Sequence, residues 1–253
     1  EQVNDLISMG KQVILVSSGA GICGVGAINK WSRRGDINYK QALCAIGQVE
    51  LMMAYKEYFA DYGIHVAQIL LTRDDFSDPH RTLNIRNAMF TLIDEGVIPV
   101  INENDSVSVD EIKIGDNDTL AAYVSRLVDA DLLILMSDID GLYTDDPRKN
   151  PNARFIHTVG KIGRSLENMA KGASSDCGTG GMATKIKAAK IATAAGADMI
   201  IANGDNIYSI NDVMNGKKVG TLFLSEQHQK EMSEEVAPER AEFRRQAKRE
   251  KKV

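Results

Sequence analysis

The sequence contains little of what builds disulfides, metal sites or membrane spans. Its three cysteines and four histidines are scattered along 253 residues. Cys23, Cys44 and Cys177 form no C-x-x-C pair, so we expect free thiols in a reducing cytosol and no metal site. No apolar run approaches the ~18 residues that span a bilayer, and no signal peptide is evident. We therefore expect a cytoplasmic protein with no membrane partner.

The sequence also lacks an excess of positive charge. Its 30 Lys and Arg residues and 35 Asp and Glu residues give a formal net charge of -5. This balance predicts no nucleic-acid partner, and any anionic ligand must be held by a local site. The length suits one large domain or two small ones.

Short apolar runs alternate with helical patterns along most of the chain. Branched apolar residues predict buried strands, and spacings near 3.6 residues predict the helices between them. This alternation predicts an α/β fold, a three-layer αβα sandwich with a mainly parallel central sheet. The main predicted strands are Gln12–Ser18, His65–Thr72, Val97–Asn102 and Asp131–Asp138, and the main predicted helices are Tyr39–Asp61, Thr82–Glu95 and one that begins near Met182.

Polar residues gather where these predicted strands end. Ser17–Gly19 follows the first strand, Asn102–Asp105 ends the third, and Ser137 and Asp138 end the fourth. Ligands in parallel α/β sheets bind beyond the carboxyl ends of the strands. The sequence therefore predicts a ligand site at this edge.

Asp116, Asn117 and Asp118 begin another predicted helix, after a predicted hairpin excursion within Glu103–Asp118. One such residue is enough to cap a helix, which leaves two polar groups over. Capping is the plain interpretation. The functional one is a carboxylate that orients cations or Mg²⁺ beside an amide that binds substrate.

Two glycine-rich stretches have the composition of anion sites. The glycine-rich stretch SGAGICGVG, residues 18–26, is predicted to turn the chain after the first strand. VSSGAG, residues 16–21, is either a tight turn or a nest of backbone N–H groups, and this stretch alone leaves both open. GTGGMATK, residues 178–185, is no Walker A motif, because its lysine is four residues beyond Gly181 and no Ser or Thr follows it. Lys185 falls in the first turn of a helix, where a cation is disfavoured unless an anion lies beside it. A solvated surface lysine is the alternative.

The sequence changes character after Leu224. Residues 225–253 are almost all charged or small and show no apolar stripe. They predict a charged tail, helical or disordered, that follows a domain over residues 1–224. A docking arm is the alternative interpretation.

Eight segments together resemble the amino acid kinase family. In chain order they read VILVSSGAG, KQALCAIGQ, QILLTRDDF, VIPVINENDSV, EIKIGDNDTLAA, LLILMSDIDGLYTDDP, GTGGMATKIKAA and GKKVGTLF, and they span roughly Gln12 to Phe223. The resemblance is greatest to members that phosphorylate the side-chain carboxylate of L-glutamate with ATP, the first step of proline synthesis.

The resemblance implies a role for particular positions. Lys185 matches a catalytic lysine, and Asp118 matches the aspartate that orients the catalytic lysines. Implied glutamate ligands are Ser18, Asn102, Asp105 and Asn117, and the implied nucleotide contacts are Ser137, Asp138, Thr179, Gly180, Gly181, Met182, Ala183, Thr184 and Lys185. The resemblance also implies Mg²⁺ bound through ATP, feedback inhibition by proline, and a homodimer or homotetramer.

The sequence departs from the family pattern at both ends. The family's first strand carries another lysine, followed by a glycine and a Ser or Thr, and no such segment precedes Gln12. Because the first residues already read as the middle of a helix, we expect native residues to precede Glu1. The RNA-binding-type domain that follows the kinase domain in many members is also not found. Two alternatives stay open: a sister kinase acting on another carboxylate or phosphate, and a non-catalytic glutamate- or nucleotide-binding module if the lysine strand is truly absent.

Overall fold

The computed structural model describes residues 1–30, 33, 35–108, 117–147, 149–167 and 181–231. The helices are α1 (Gln2–Ser8), α2 (Ala20–Ile28), α3 (Ile37–Ala60), α4 (Pro79–Asp94), α5 (Asn117–Leu127), α6 (Met182–Ala194) and α7 (Ser209–Met214), with a 3₁₀ turn over Arg73–Phe76. The strands are β1 (Leu15–Val16), β2 (His65–Leu71), β3 (Val97–Glu103), β4 (Leu132–Ser137), β5 (Leu142–Tyr143), β6 (Phe155–Ile156), β7 (Thr158–Val159), β8 (Asp198–Asn203) and β9 (Thr221–Phe223).

Two sheets form the middle layer. The first has the order β1-β3-β2 and is parallel throughout. The second has the order β4-β8-β9-β7, in which only the β8–β9 pair is antiparallel. Strands β5 and β6 form a separate antiparallel pair. The predicted α/β class with mainly parallel pairing is therefore confirmed, although the described strands divide into two sheets instead of one.

Alternation along β8 shows the three layers directly. Met199 and Ile201 pack into a core with α6, whereas Ile200 and Ala202 pack on the opposite face with Val213 of α7. Successive strand side chains point to opposite faces, so each face of the sheet has its own core. In the first sheet, Ile101 of β3 packs with α4 and α5, whereas the next residue, Asn102, bonds to Gln48 of α3.

Helices α5 and α6 bring both sheets together at one edge. Each precedes a parallel strand of the second sheet, β4 or β8, and runs back along it, so its first turn lies at the carboxyl ends of the strands. The two helices pack on each other, and α5 also contacts β1, β3 and β4. Val16 of β1 packs against the cores of both sheets. The polar strand ends of the sequence therefore face the starts of α5 and α6.

The predicted glycine-rich turn over residues 18–26 is wrong in one respect, since its last seven residues lie in helix α2. Gly19 precedes the helix with a φ of 106°, a conformation that favours glycine. A Cβ on Gly24 would lie 1.9 Å from the carbonyl oxygen of Leu43, and one on Gly47 would lie 1.8 Å from that of Ala20. Glycine at both positions lets α2 and α3 approach backbone to backbone. The helix forms despite its low intrinsic propensity because this contact stabilises it.

The end of the described chain lies against the second sheet. The backbone N–H of Ser225 donates to Asp198 Oδ1 over 2.7 Å, and His228 Nδ1 lies 2.6 Å from Asp198 Oδ2. The predicted tail boundary at residue 225 stays a prediction, since residues 232–253 lie outside the described part. Within the described ranges, no helix combines the length and apolar character required to cross a bilayer.

Candidate active site

Lys185 and Asp118 form the charged centre of the candidate site. Lys185 Nζ donates to Asp118 Oδ2 over 2.9 Å, and Thr184 Oγ1 lies 3.1 Å from the same oxygen. The Lys185 side chain is 8% exposed and that of Asp118 is 19% exposed. The solvated surface lysine considered for Lys185 is therefore wrong. The helix dipole disfavours a cation in the first turn of α6. The buried Lys185 is therefore suited to stabilise an anion there.

The start of α6 presents further donors to the same place. As in any α-helix, the first backbone N–H groups have no acceptor within the helix. Gly181 precedes the helix and makes no side-chain cap bond, and Met182 and Ala183 supply the first N–H groups. These groups and Lys185 suit a phosphate. Thr179 and Gly180, which were predicted to extend this contact, lie outside the described residues, as do Asp116 and the rest of residues 109–116, half of the predicted hairpin excursion.

A network of amide side chains, buried at Gln48 and Asn102, lies beside the ion pair. Asn117 Nδ2 donates to the carbonyl oxygen of Ser17 over 2.7 Å and to Asn102 Oδ1 over 3.0 Å. Asn102 Nδ2 donates to Gln48 Oε1 over 2.9 Å, and Gln48 Nε2 donates to Gln68 Oε1 over 3.1 Å. The network thus joins α5, strands β2 and β3 of the first sheet, and α3.

The loop after β1 is held by the same helix. Tyr55 of α3 donates its hydroxyl to Ser17 Oγ over 2.8 Å, and Ser17 Oγ lies 3.1 Å from the carbonyl oxygen of Ser18. Ser17 is buried, while Ser18 is exposed. The predicted glutamate ligand Ser18 therefore faces solvent, directly after a residue that Tyr55 and Asn117 hold by hydrogen bonds.

Asp105 lies in the turn that follows β3, close to Cys44 of α3. The backbone N–H groups of Val107 and Ser108 bond to the carbonyl oxygen of Asn104, which closes this turn. Burial raises the pKa of Asp105, and the neighbouring thiol of Cys44 counteracts that shift. Burial, with the nearby Asp105 carboxylate, raises the pKa of Cys44 to about 12. Cys44 is therefore a neutral thiol beside a carboxylate that lacks full solvation.

Ser137 and Asp138 end strand β4 at the same edge of the sheets. Ser137 Oγ lies 3.2 Å from Asp138 Oδ1, and the backbone N–H of Gly204 donates to the carbonyl oxygen of Ser137. Asp138 is exposed and Ser137 is half-buried. Because α6 runs back along β8, the strand beside β4, its first turn lies at the end of the sheet where these two residues are placed.

A cavity of about 810 Å³ lies on the other side of β2 and β3. Apolar side chains of β2 and α4 form part of its wall, and Arg73, Arg81 and Lys187 lie among its polar residues. None of the candidate site residues in the described part of the chain lines it. The candidate site residues instead converge at the carboxyl ends of the strands, outside this cavity.

Sequence reasoning missed Gln48, Tyr55 and Gln68. Gln48 and Tyr55 are seven residues apart on α3, on the face that also carries buried Phe59. A glutamine at a position where the helical pattern requires an apolar residue was the available signal. Its partners were not readable, because they come from β2 and β3.

Comparison with known proteins identifies the family. The model of the amino acid kinase family matches residues 1–203. A glutamate 5-kinase of Alkaliphilus metalliredigens is 55% identical over 223 residues, which cover 88% of this chain and 84% of that protein. A glutamate 5-kinase of Alkaliphilus oremlandii is 52% identical over 226 residues, which cover 89% of this chain and 86% of that protein.

Solved structures show the same fold at low identity. A carbamate kinase from Giardia lamblia, bound to AMP-PNP, superimposes with a TM-score of 0.58 at 15% identity, covering 89% of this chain and 88% of the other. An isopentenyl phosphate kinase in a substrate complex gives a TM-score of 0.56 at 16% identity, with 88% of each chain covered.

Proposed function

The chain belongs to the amino acid kinase family, and we propose that it transfers the γ-phosphoryl group of ATP to the side-chain carboxylate of L-glutamate. The product is L-glutamyl 5-phosphate, and the reaction begins proline biosynthesis. The observation that carries the substrate assignment is the identity of 55% and 52% with two glutamate 5-kinases over almost nine-tenths of the chain.

The chemistry needs charge neutralisation more than proton transfer. A glutamate side chain has a pKa of about 4.3, so its carboxylate is already an ionised nucleophile at neutral pH. The obstacle is repulsion between this anion and the phosphate chain, and preorganised positive groups reduce it. Lys185 meets this need because Asp118 holds its ammonium 2.9 Å away in a largely buried place. We assign Lys185 as the catalytic lysine and Asp118 as the residue that orients it.

The nucleotide contacts form the second part of the proposal. We assign Ser137, Asp138 and the run Thr179 to Lys185 to the nucleotide. The N–H groups at the start of α6 suit its phosphates, since helix N-termini favour anions. Mg²⁺ arrives with the nucleotide and supplies further positive charge when bound.

The glutamate contacts form the third part. We assign Ser18, Asp105 and Asn117 to glutamate, with Asp105 as the anion for its ammonium group. Asn102 was predicted as a further ligand, and it is 3% exposed with its amide bonded to protein groups on both sides. This favours a role in holding Asn117.

A coupled assay for ADP together with hydroxylamine capture of acyl phosphate tests the function. We expect Mg²⁺-dependent ADP and hydroxamate formation with L-glutamate, and far less with N-acetylglutamate or L-aspartate. Hydroxamate formation that is greater with one of those two acids would transfer the assignment to a sister kinase. Binding of glutamate and ATP by calorimetry with no ADP formed would instead support the non-catalytic module.

The resemblance also implies regulation and assembly, which we include in the proposal. Proline should inhibit the reaction in competition with glutamate, and the protein should form a homodimer or homotetramer in the cytoplasm. Inhibition kinetics and light scattering behind size-exclusion chromatography test these two points separately.

A further inference from the structure

The hydrogen bonds of the amide network beside the ion pair have one consistent direction, which is set by the atom of each side chain that donates and the atom that accepts. Each amide side chain donates only through nitrogen and accepts only through oxygen. The backbone N–H of Glu103 donates to Asn102 Oδ1 over 2.9 Å, which places the oxygen of Asn102 on that side. Asn102 Nδ2 therefore points the other way and needs an acceptor, and Gln48 Oε1 supplies it at 2.9 Å.

The orientation of the Asn102 amide also fixes the orientation of the Asn117 amide. Asn117 Nδ2 uses one hydrogen on Asn102 Oδ1 and the other on the carbonyl oxygen of Ser17. Both donors of this amide are therefore engaged within the protein. Among the described residues, none donates a hydrogen bond to Asn117 Oδ1, and that oxygen is the group which Asn117 can offer to a ligand.

We propose that Gln48 is a positioning residue that fixes the direction of this network, so that Asn117 presents its amide oxygen to the α-ammonium group of the substrate. This inference rests on the proposed function and specifies how the site selects an α-amino acid. An amide turned the other way would present nitrogen and would suit a carboxylate.

Burial explains why Gln48 can exert this control. Gln48 is 8% exposed and Asn102 is 3% exposed, so water cannot easily replace the bond between them. Without the acceptor at position 48, Asn102 Nδ2 is left without a partner in a buried place, which is costly. Asn102 cannot turn over without setting its nitrogen against the N–H of Glu103. It must shift instead, and Asn117 loses the oxygen that orients it.

The direct test replaces Gln48 with a residue of similar shape that cannot accept the bond. We expect Gln48→Met to raise the KM for L-glutamate roughly ten- to a hundredfold, the range for loss of a buried hydrogen-bond partner, with the KM for ATP unchanged. The preference for L-glutamate over glutarate, which lacks the ammonium group, should fall by a similar factor. A merely structural role would lower thermal stability without changing this preference.

Two controls separate the acceptor from other effects. Gln48→Glu keeps an acceptor toward Asn102, and exposed Gln68 can turn its amide to donate to the new carboxylate, so the preference should stay near that of the wild type. Gln68→Met removes the outer end of the network and should lower the preference less than Gln48→Met does, because Asn102 Nδ2 keeps its acceptor. Gln2→Leu, which removes bonds to Ile210 and Asn211 outside the amide network, gives the effect of lost stability alone.

Two results would each overturn the proposal. A Gln48→Met enzyme with the wild-type preference would overturn the proposal, and so would a Gln48→Glu enzyme that loses the preference as far as Gln48→Met. If Gln48→Met does not fold, the Gln48→Glu and Gln68→Met results decide. Failure of the proposed function is distinct, because then the wild-type chain itself forms no glutamyl phosphate.

Discussion

At the scale of single residues, the candidate site depends on charges held where water is scarce. Lys185 is in the first turn of α6, where the helix dipole opposes a cation. The burial of Lys185 and its ion pair with Asp118 indicate that this lysine serves to stabilise an anion. An ammonium group already oriented and partly desolvated needs little reorganisation when negative charge develops beside it.

Replacement of Lys185 should therefore affect turnover more than substrate binding. We expect Lys185→Met to lower kcat roughly 10²- to 10³-fold, the effect of losing one preorganised charge-stabilising group, while the KM for glutamate changes much less. Lys187→Met is the matched control, since Lys187 is on the same helix but is exposed. Steady-state kinetics on both variants measure the difference. A larger change in KM than in kcat for Lys185→Met would refute its assigned role.

Asp105 should make glutamate binding depend on pH. Burial raises the pKa of its carboxyl group, so protonation begins at a higher pH than for an ordinary aspartate. The ionised form binds an ammonium group, so binding is lost as pH falls through the raised pKa. We expect the KM for glutamate to rise as pH falls from neutral, and to begin rising at a higher pH than an ordinary aspartate would cause.

Asp105→Asn supplies the control for this dependence. Loss of a charged hydrogen-bond partner should raise the KM for glutamate roughly ten- to a hundredfold, and this higher value should no longer change over the same pH range. KM for ATP serves as the internal reference in both enzymes. A persistent acidic rise in the variant would mean that another group titrates.

At the scale of elements, α2 and α3 set the position of the loop that carries Ser18. Their contact depends on Gly24 and Gly47, because a Cβ at either would overlap a backbone carbonyl of the other helix. Backbone atoms cannot move aside as a flexible side chain does. Helix α2 begins directly after Gly19, so any separation of the two helices displaces the loop.

Two alanine substitutions in α2 should have opposite effects. Gly24→Ala should destabilise the protein by about 1–3 kcal/mol through overpacking, and it should raise the KM for glutamate because the loop moves. Gly26→Ala has no atom within 4 Å of the added Cβ, and it should stabilise by about 0.5–1 kcal/mol as glycine leaves a helix interior. Urea denaturation measures both. Equal effects would show that helix contact does not decide the outcome.

At the scale of the whole molecule, α5 connects two sheets that are otherwise separate among the described strands. Its start carries Asn117 and Asp118, and its length contacts β1, β3 and β4. The candidate glutamate residues are mainly on the side of the first sheet, and the candidate nucleotide residues are on that of the second. Helix α5 is therefore the element that both ligands share.

Hydrogen exchange with each ligand should reveal this division. We expect glutamate to protect the ends of β1 and β3, the nucleotide to protect the end of β4 and the start of α6, and either ligand to protect the start of α5. A ligand at about 100 times its Kd stabilises the native state by roughly 2.7 kcal/mol, which is enough to slow local opening. Protection by nucleotide that is confined to the first sheet would contradict the assignment of its site.

Much of the order of elements, and the placement of the candidate site, followed from local patterns in the sequence. Apolar runs and helical spacings predicted strands β1 to β4 and helices α3 to α6, since periodicity depends on near neighbours alone. Polar residues after strands located the site at one edge, because parallel strands all end there. The glycine-rich segment before Ile28 was misread, since a glycine that packs against a distant helix resembles one that turns the chain.

The tertiary structure alone decided which polar groups meet. Lys185 bonds to Asp118 and Asn117 bonds to Ser17 across separations of 67 and 100 residues, and no local pattern specifies such partners. In the sequence, Gln48 is only one polar residue on a mostly apolar helix face. Its partners in the structure come from β2 and β3. The physical reason is that a buried amide must satisfy both its nitrogen and its oxygen, so its direction is set by every element that packs around it.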